Sequence, residues 1–223
     1  MNLLISMGDS WTAGVGCYTD TVLDRLNRKE ITIDEVYPLS LDSFAENSWA
    51  KQLTNKLGWD LINLAEGGCS NSGQAKILFN KVSDELCRTY DNVFVIWLLS
   101  DPHRLSFYVN NRIESYHADE KMYKMVQKIS SRTDTDAQLE TNFYIKCVEK
   151  YCKSNNYQFM FGNAYAEAHT LKDHKSNMHK NLKYTTFNNF VPKNMYAYCQ
   201  HPNTHGYTAI MTEIYNLITN EVL

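Results

Sequence analysis

The sequence predicts an α/β fold, a three-layer α/β/α sandwich around a central parallel sheet. Three observations carry that expectation. A short apolar run, Asn2 to Met7, opens the chain and breaks at Gly8. A second run, Asn92 to Leu99, is apolar without alternation, the pattern of a strand covered on both faces. Helical patterns alternate with these strand-like ones, the arrangement that joins parallel strands by right-handed crossovers.

Asn2 to Met7 is the first strand, and the residues behind it lack clear periodicity as far as Asn47. Ser48 can cap a helix that carries Trp49, Leu53 and Leu57 on one face and stops at Gly58. Leu61 to Leu64 follows as a strand, and Ser72 to Arg88 as a helix with Ile77, Leu78, Val82 and Leu86 as its apolar stripe. After the Asn92 to Leu99 strand, residues 100–134 mix aromatic and charged side chains without a clean repeat. They read as an insertion over the site, with Glu120 to Ile129 a helical candidate. Asp136 to Lys153 has helical spacing through Leu139, Phe143, Ile145 and Val148, and Tyr157 to Phe161 is a strand stopped by Gly162. A long excursion, residues 163–200, precedes the last helix, Thr204 to Asn220, which carries Ile210, Ile214, Leu217 and Ile218. With no repeat and no Pro/Gly-rich linker, residues 1–223 are expected to form one domain with insertions at about 12–47, 100–134 and 163–200.

The bulk properties narrow the partners. Lys+Arg 22 against Asp+Glu 25 gives a formal charge of -3, without the basic footprint of a nucleic-acid or anionic-membrane binder. No apolar stretch reaches the length of a membrane span, and the Asn2 to Met7 run lacks the basic flank and cleavage site of a secretory signal. Six cysteines (Cys17, Cys69, Cys87, Cys147, Cys152, Cys199) show no framework, so free thiols and a cytoplasmic location are expected. The 15 tyrosines, many between residues 108 and 207, read either as half-buried packing with wet hydroxyls or as a sugar-binding surface.

Three blocks carry chemistry. Gly8-Asp9-Ser10 stands directly behind the first strand, where an α/β sheet delivers side chains to its ligand-binding carboxyl edge. Asn63-Leu64-Ala65-Glu66-Gly67-Gly68-Cys69-Ser70-Asn71 follows the second strand, and His201-Pro202-Asn203-Thr204-His205-Gly206-Tyr207 opens the last helix. Taken singly, Gly8-Asp9-Ser10 is equally a capped turn, and Gly67-Gly68 a tight strand-to-loop turn. A serine and a histidine brought to one sheet edge supply a nucleophile and its base. The surroundings of Ser10 do not match the G-x-S-x-G elbow of the α/β-hydrolases.

In this order the three blocks resemble the SGNH hydrolases, the GDSL esterase and lipase superfamily. The resemblance spans residue 3 to about residue 215, although only about thirty positions carry it. It implies an SGNH/flavodoxin-like fold and a metal-independent esterase without cofactor. Ser10 would be the nucleophile and His201 the general base and then acid, and the N–H groups of Ser10 and Gly68 would be the oxyanion donors. His205 matches a variable position and is expected at the surface. Two positions depart from the family. Leu98-Leu99-Ser100-Asp101 replaces Gly-x-Asn-Asp, so the Ser100 hydroxyl stands where an asparagine would be the third oxyanion donor. Asn71 is a substitute for it only if it is not needed to cap the helix from Ser72. Tyr198 stands where the family has the aspartate three residues before the histidine, leaving a backbone carbonyl or a distant carboxylate, for example Glu167 or Asp173, to orient His201.

Other constellations point elsewhere. His169, His174 and His179 recur every five residues, which spreads them around a helix instead of stacking them as metal ligands. Cys17 has no histidine beside it in sequence and is expected to be buried and inert. The leading expectation is therefore a carboxylic-ester hydrolase working through an acyl-serine, on a small-molecule or glycan ester with an acetyl-sized acyl group. Its alternatives are an SGNH-like binding or structural module with weak or no catalysis, and an enzyme that passes the acyl group to a sugar.

Overall fold

Four parallel strands form the sheet of the computed structural model, which describes residues 1–109, 112–116, 121, 124–125, 128, 133–164, 191, 193–197 and 201–221. They are β1 (Asn2–Met7), β2 (Asp60–Asn63), β3 (Asn92–Leu99) and, beyond an antiparallel hairpin of β4 (Leu105–Val109) and β5 (Arg112–Tyr116), β6 (Gln158–Asn163). Their order is β2-β1-β3-β6, with Met7 level with Trp97 and Leu99 level with Asn163. The chain leaves β1 toward β2 and leaves β3 in the opposite direction, toward β6. The order thus reverses between β1 and β3, and a crevice opens at their carboxyl ends, the place where such sheets bind ligands.

Why these segments are strands follows from their burial. Leu3, Leu4, Ile5 and Met7 have no exposed surface, and every residue of β3 except Asn92 is buried, so both faces of the central pair are covered. That accounts for the unbroken apolar run of β3. Among the described residues the α-helices include α1 (Ser10–Ala13), α2 (Asp20–Asn27), α3 (Ile33–Leu39), α4 (Leu41–Asn47), α5 (Trp49–Leu57), α6 (Asn71–Lys81), α7 (Asp84–Cys87), α8 (Asp134–Ser154) and α9 (Thr204–Glu221). Helices α5 and α9 pack on each other, as do α6 and α8; α5 also lies against β1 and β2, and α8 against β6. Right-handed crossovers place these two pairs on opposite faces, which gives the three expected layers.

Several local expectations hold in detail. Ser48 accepts the Lys51 N–H and caps α5, which ends on left-handed Gly58. Thr133 and Asp136 form a reciprocal capping box that starts α8. Others are corrected. Ser72 to Arg88 is not one helix, because Val82 is extended and buried and the chain restarts as the short α7, with Ser83 Oγ accepting the Leu86 N–H. Leu86, Leu139 and Phe143 are exposed, and α8 instead buries Ala137, Ile145, Val148 and Cys152. Burial pushes the Cys152 thiol up to about 12, which keeps it an inert core residue. Residues 12–47, where the sequence lacks periodicity, hold α2, α3, α4 and part of α1. The Glu120 to Ile129 candidate lies largely outside the described residues, as do Glu167, His169, Asp173, His174, His179, Tyr198 and Cys199. Among the described residues no helix is long and apolar enough to cross a membrane.

One tie fastens the last helix to the first loop. Tyr207, fully buried, donates its hydroxyl proton to the Val15 carbonyl at 2.9 Å. Tyr207→Phe is expected to lower unfolding free energy by about 1–2 kcal/mol, since it leaves a buried carbonyl without that donor; urea denaturation measures it.

Candidate active site

The site is built by two loops that meet at the carboxyl edge of β1. Gly8 follows β1 at φ +151°, and a Cβ there would lie 2.2 Å from Thr12 Oγ1 and 2.9 Å from the Leu98 carbonyl oxygen, so only glycine fits. Its N–H is held by Gln74 Oε1 at 2.9 Å. Asp9 then caps α1, its Oδ1 accepting the Trp11 N–H at 3.0 Å, and the chain turns so that Ser10 opens that helical turn. The histidine comes from the far end of the sequence. Asn203 Oδ1 accepts the Gly206 N–H at the start of α9, and the Asn203 N–H donates to the Met195 carbonyl. A single bridge pairs Tyr196 with Pro202, and the Ala197 N–H donates to the His201 carbonyl at 2.7 Å.

These two turns place His201 Nε2 2.7 Å from Ser10 Oγ. The serine is 8% exposed and the histidine partly exposed, so the pair sits at the floor of the edge, within reach from outside. Trp11, the residue after the serine, presents its ring to Tyr196 edge-on at 6.2 Å and to His201 at 6.5 Å. Burial raises the Tyr196 phenol above its ordinary value, so it is neutral near pH 7. His205, as expected, is exposed.

Gly68 adopts φ +77°, and the space where its side chain would stand is open to 4 Å. Two other expected donors are otherwise engaged. Asn71 does not cap α6; Ser70 does, its hydroxyl accepting the Gly73 N–H. The Asn71 amide instead grips the backbone of Ser100, with Nδ2 donating to the Ser100 carbonyl at 3.0 Å and to Thr141 Oγ1 at 3.3 Å. In return the Ser100 N–H donates to Asn71 Oδ1 at 2.8 Å. The Ser100 hydroxyl donates to Asp9 Oδ2 at 3.3 Å, away from the role of a third oxyanion donor. Cys17 is buried, with its Sγ 3.6 Å from the Asn47 carbonyl.

Two contributors are missed by sequence reasoning. Arg104, on the loop after β3, places Nη1 2.9 Å from Asp9 Oδ2. Gly16 lets the histidine loop approach the serine loop: its φ is +110°, and a Cβ there would lie 2.5 Å from the Pro202 carbonyl oxygen and 3.1 Å from His201 Cβ. The two glycines at positions 14 and 16 behind the serine are the only trace of this in the sequence.

The parallel sheet and the helices packed on it give this chain the α/β fold seen in SGNH, or GDSL, hydrolases. No protein-family model and no curated protein sequence matches the chain. Solved structures do. An acetyl xylan esterase from the rumen bacterium Butyrivibrio proteoclasticus is similar with a TM-score of 0.56 and 11% identity, over 99% of this chain and 64% of that one. A carbohydrate esterase whose active site is described as displaying divergent catalytic and non-catalytic binding functions is similar with a TM-score of 0.56 and 13% identity, over 99% of this chain and 65% of that one. A protein assigned to the G-D-S-L family from Desulfitobacterium hafniense is similar with a TM-score of 0.51 and 13% identity, over 96% and 98% of the two chains. The chain thus spans less than two-thirds of the first two of these structures.

Proposed function

We propose that the chain is a serine-dependent carboxylic-ester hydrolase that works through an acyl-serine intermediate. The observation that carries this reading is the 2.7 Å contact between His201 Nε2 and Ser10 Oγ, two groups 191 positions apart that share one sheet edge. In the proposed reaction Ser10 Oγ bonds to the acyl carbon as its proton passes to Nε2. The negative charge that develops on the carbonyl oxygen is met by the N–H groups of Ser10 and Gly68. The Ser10 N–H lies at the first position of α1, where no intrahelical acceptor exists, and left-handed Gly68 offers an approach unobstructed by a side chain. His201 then returns the proton to the departing alcohol, and water repeats the sequence to release the acid and restore the serine.

Ser100 serves this site indirectly, by holding Asp9 and being held by Asn71. The substrate we infer is a small acyl ester, acetyl first, on a sugar or glycan. The similar structures described as an acetyl xylan esterase and a carbohydrate esterase support that choice. Incubation with a fluorophosphonate tests the chemistry directly: the serine oxygen displaces fluoride, and the Ser10 peptide gains the phosphonyl mass. Labelling at Ser10 that requires His201, together with hydrolysis of p-nitrophenyl acetate, is the expected result. A folded protein that stays unlabelled and inert would overturn the reading in favour of a non-catalytic binding module.

A further inference from the structure

The loop between β3 and β4, together with the first residues of β4, grips both halves of the candidate site. Toward the nucleophile, Arg104 Nη1 donates to Asp9 Oδ2 at 2.9 Å, and Ser100 Oγ donates to the same oxygen at 3.3 Å. Toward the Gly68 loop, the Ser106 hydroxyl accepts the Ser70 N–H at 3.2 Å and lies 2.6 Å from Ser70 Oγ. Asp9 is completely buried, and the Arg104 side chain is 15% exposed. A buried carboxylate persists only when it is paired and hydrogen-bonded. Asp9 has no freedom to choose its orientation: one oxygen caps α1 through the Trp11 N–H while the other faces the guanidinium.

That division of labour has a consequence for the serine. The turn at Asp9 and Ser10 sets where Oγ stands and where the Ser10 N–H points, and its shape depends on Oδ1 staying on the Trp11 N–H. If the opposite oxygen loses its charged partner, the longer Ser100 hydrogen bond holds it less firmly than the guanidinium did, and the cap loosens. We propose that Arg104 is a positioning residue for Ser10: acting through Asp9, it locks the helical turn that carries the nucleophile. The inference rests on the esterase reading. Arginine suits the task because its rigid planar fork and permanent charge hold a carboxylate in one orientation, which a lysine ammonium, a single point charge, does less well.

The test uses the full chain, measuring the rate of fluorophosphonate labelling at Ser10 and the separate kcat and KM for p-nitrophenyl acetate. Arg104→Met is expected to label about tenfold more slowly or worse, with the loss in kcat and KM little changed, because geometry and not substrate affinity is affected. Arg104→Lys keeps the charge at Asp9 and so guards against simple loss of folding; its rate is expected between those of parent and Arg104→Met. Millimolar guanidinium chloride is expected to restore part of the rate in Arg104→Met and to leave the parent unchanged, a response that a purely structural role would not produce. Arg28→Met removes an exposed arginine paired with Glu30 and is expected to match the parent. Equal labelling rates in parent, Arg104→Lys and Arg104→Met would overturn this inference alone. A parent that does not label at Ser10 would overturn the esterase reading and this inference with it.

Discussion

Ser10→Ala and His201→Ala are each expected to lower kcat/KM for p-nitrophenyl acetate by about 10⁴-fold or more, with the double variant no worse than either single one. The non-additivity is the sharper part of the expectation. A nucleophile and its base act as one unit: without the imidazole the hydroxyl keeps its proton, and without the hydroxyl the imidazole has nothing to activate. What survives is the effect of binding and of backbone amides near the acyl oxygen, which neither substitution touches. Stability should change little, because Ser10 is small and His201 lies partly exposed on a loop. Steady-state rates for the four proteins decide the matter. Single losses that multiply in the double variant would mean that the 2.7 Å contact is incidental to the chemistry.

How far this site is legible in the sequence depends on the range of the interactions involved. Ser10, Gly68 and His201 announce themselves because each sits at a break in a local pattern: a strand that stops, a glycine pair, a helix that starts. The same holds for β1 and β3, whose bounds in the structure match their apolar runs, and for α5, whose cap and stop are both written in the sequence. Residues 12–47 are different. Their helices are short, α3 contains Pro38, and Val22, Ile31 and Val36 form a small cluster of their own, so no stripe is long enough to register as a period. Arg104 is unreadable for another reason. Its partner Asp9 lies 95 positions away, and nothing in the mixture of charges around it distinguishes a buried ion pair from a solvated one. Ser100 shows the opposite failure: its position in Leu98-Leu99-Ser100-Asp101 is legible, yet its hydroxyl is directed by Asp9, a contact visible only in three dimensions.

Gly16→Ala is expected to cost about a hundredfold in kcat together with about 3 kcal/mol of stability, although the substitution removes no reacting group. The added methyl meets a backbone oxygen, that of Pro202, at 2.5 Å, and the residue must hold φ +110°, which L side chains rarely adopt. Overpacking of this kind typically costs 1–3 kcal/mol, and the strained φ adds about 1–2 kcal/mol. Relief is available in one direction, by pushing the 201–203 loop away from the serine loop, because the opposite side is anchored through Tyr207 on Val15. His201 Cβ, 3.1 Å from the new methyl, moves with that loop. The Ser10–His201 contact then lengthens from 2.7 Å toward a gap across which a proton no longer passes efficiently; about 1 Å of misplacement is enough for a hundredfold loss. Thermal unfolding and fluorophosphonate labelling read the two effects separately. A variant that is destabilised yet labels at the parental rate would show that the close approach at Gly16 supports the fold alone, whereas a loss of labelling at temperatures where the variant remains folded would place Gly16 among the determinants of the Ser10–His201 geometry.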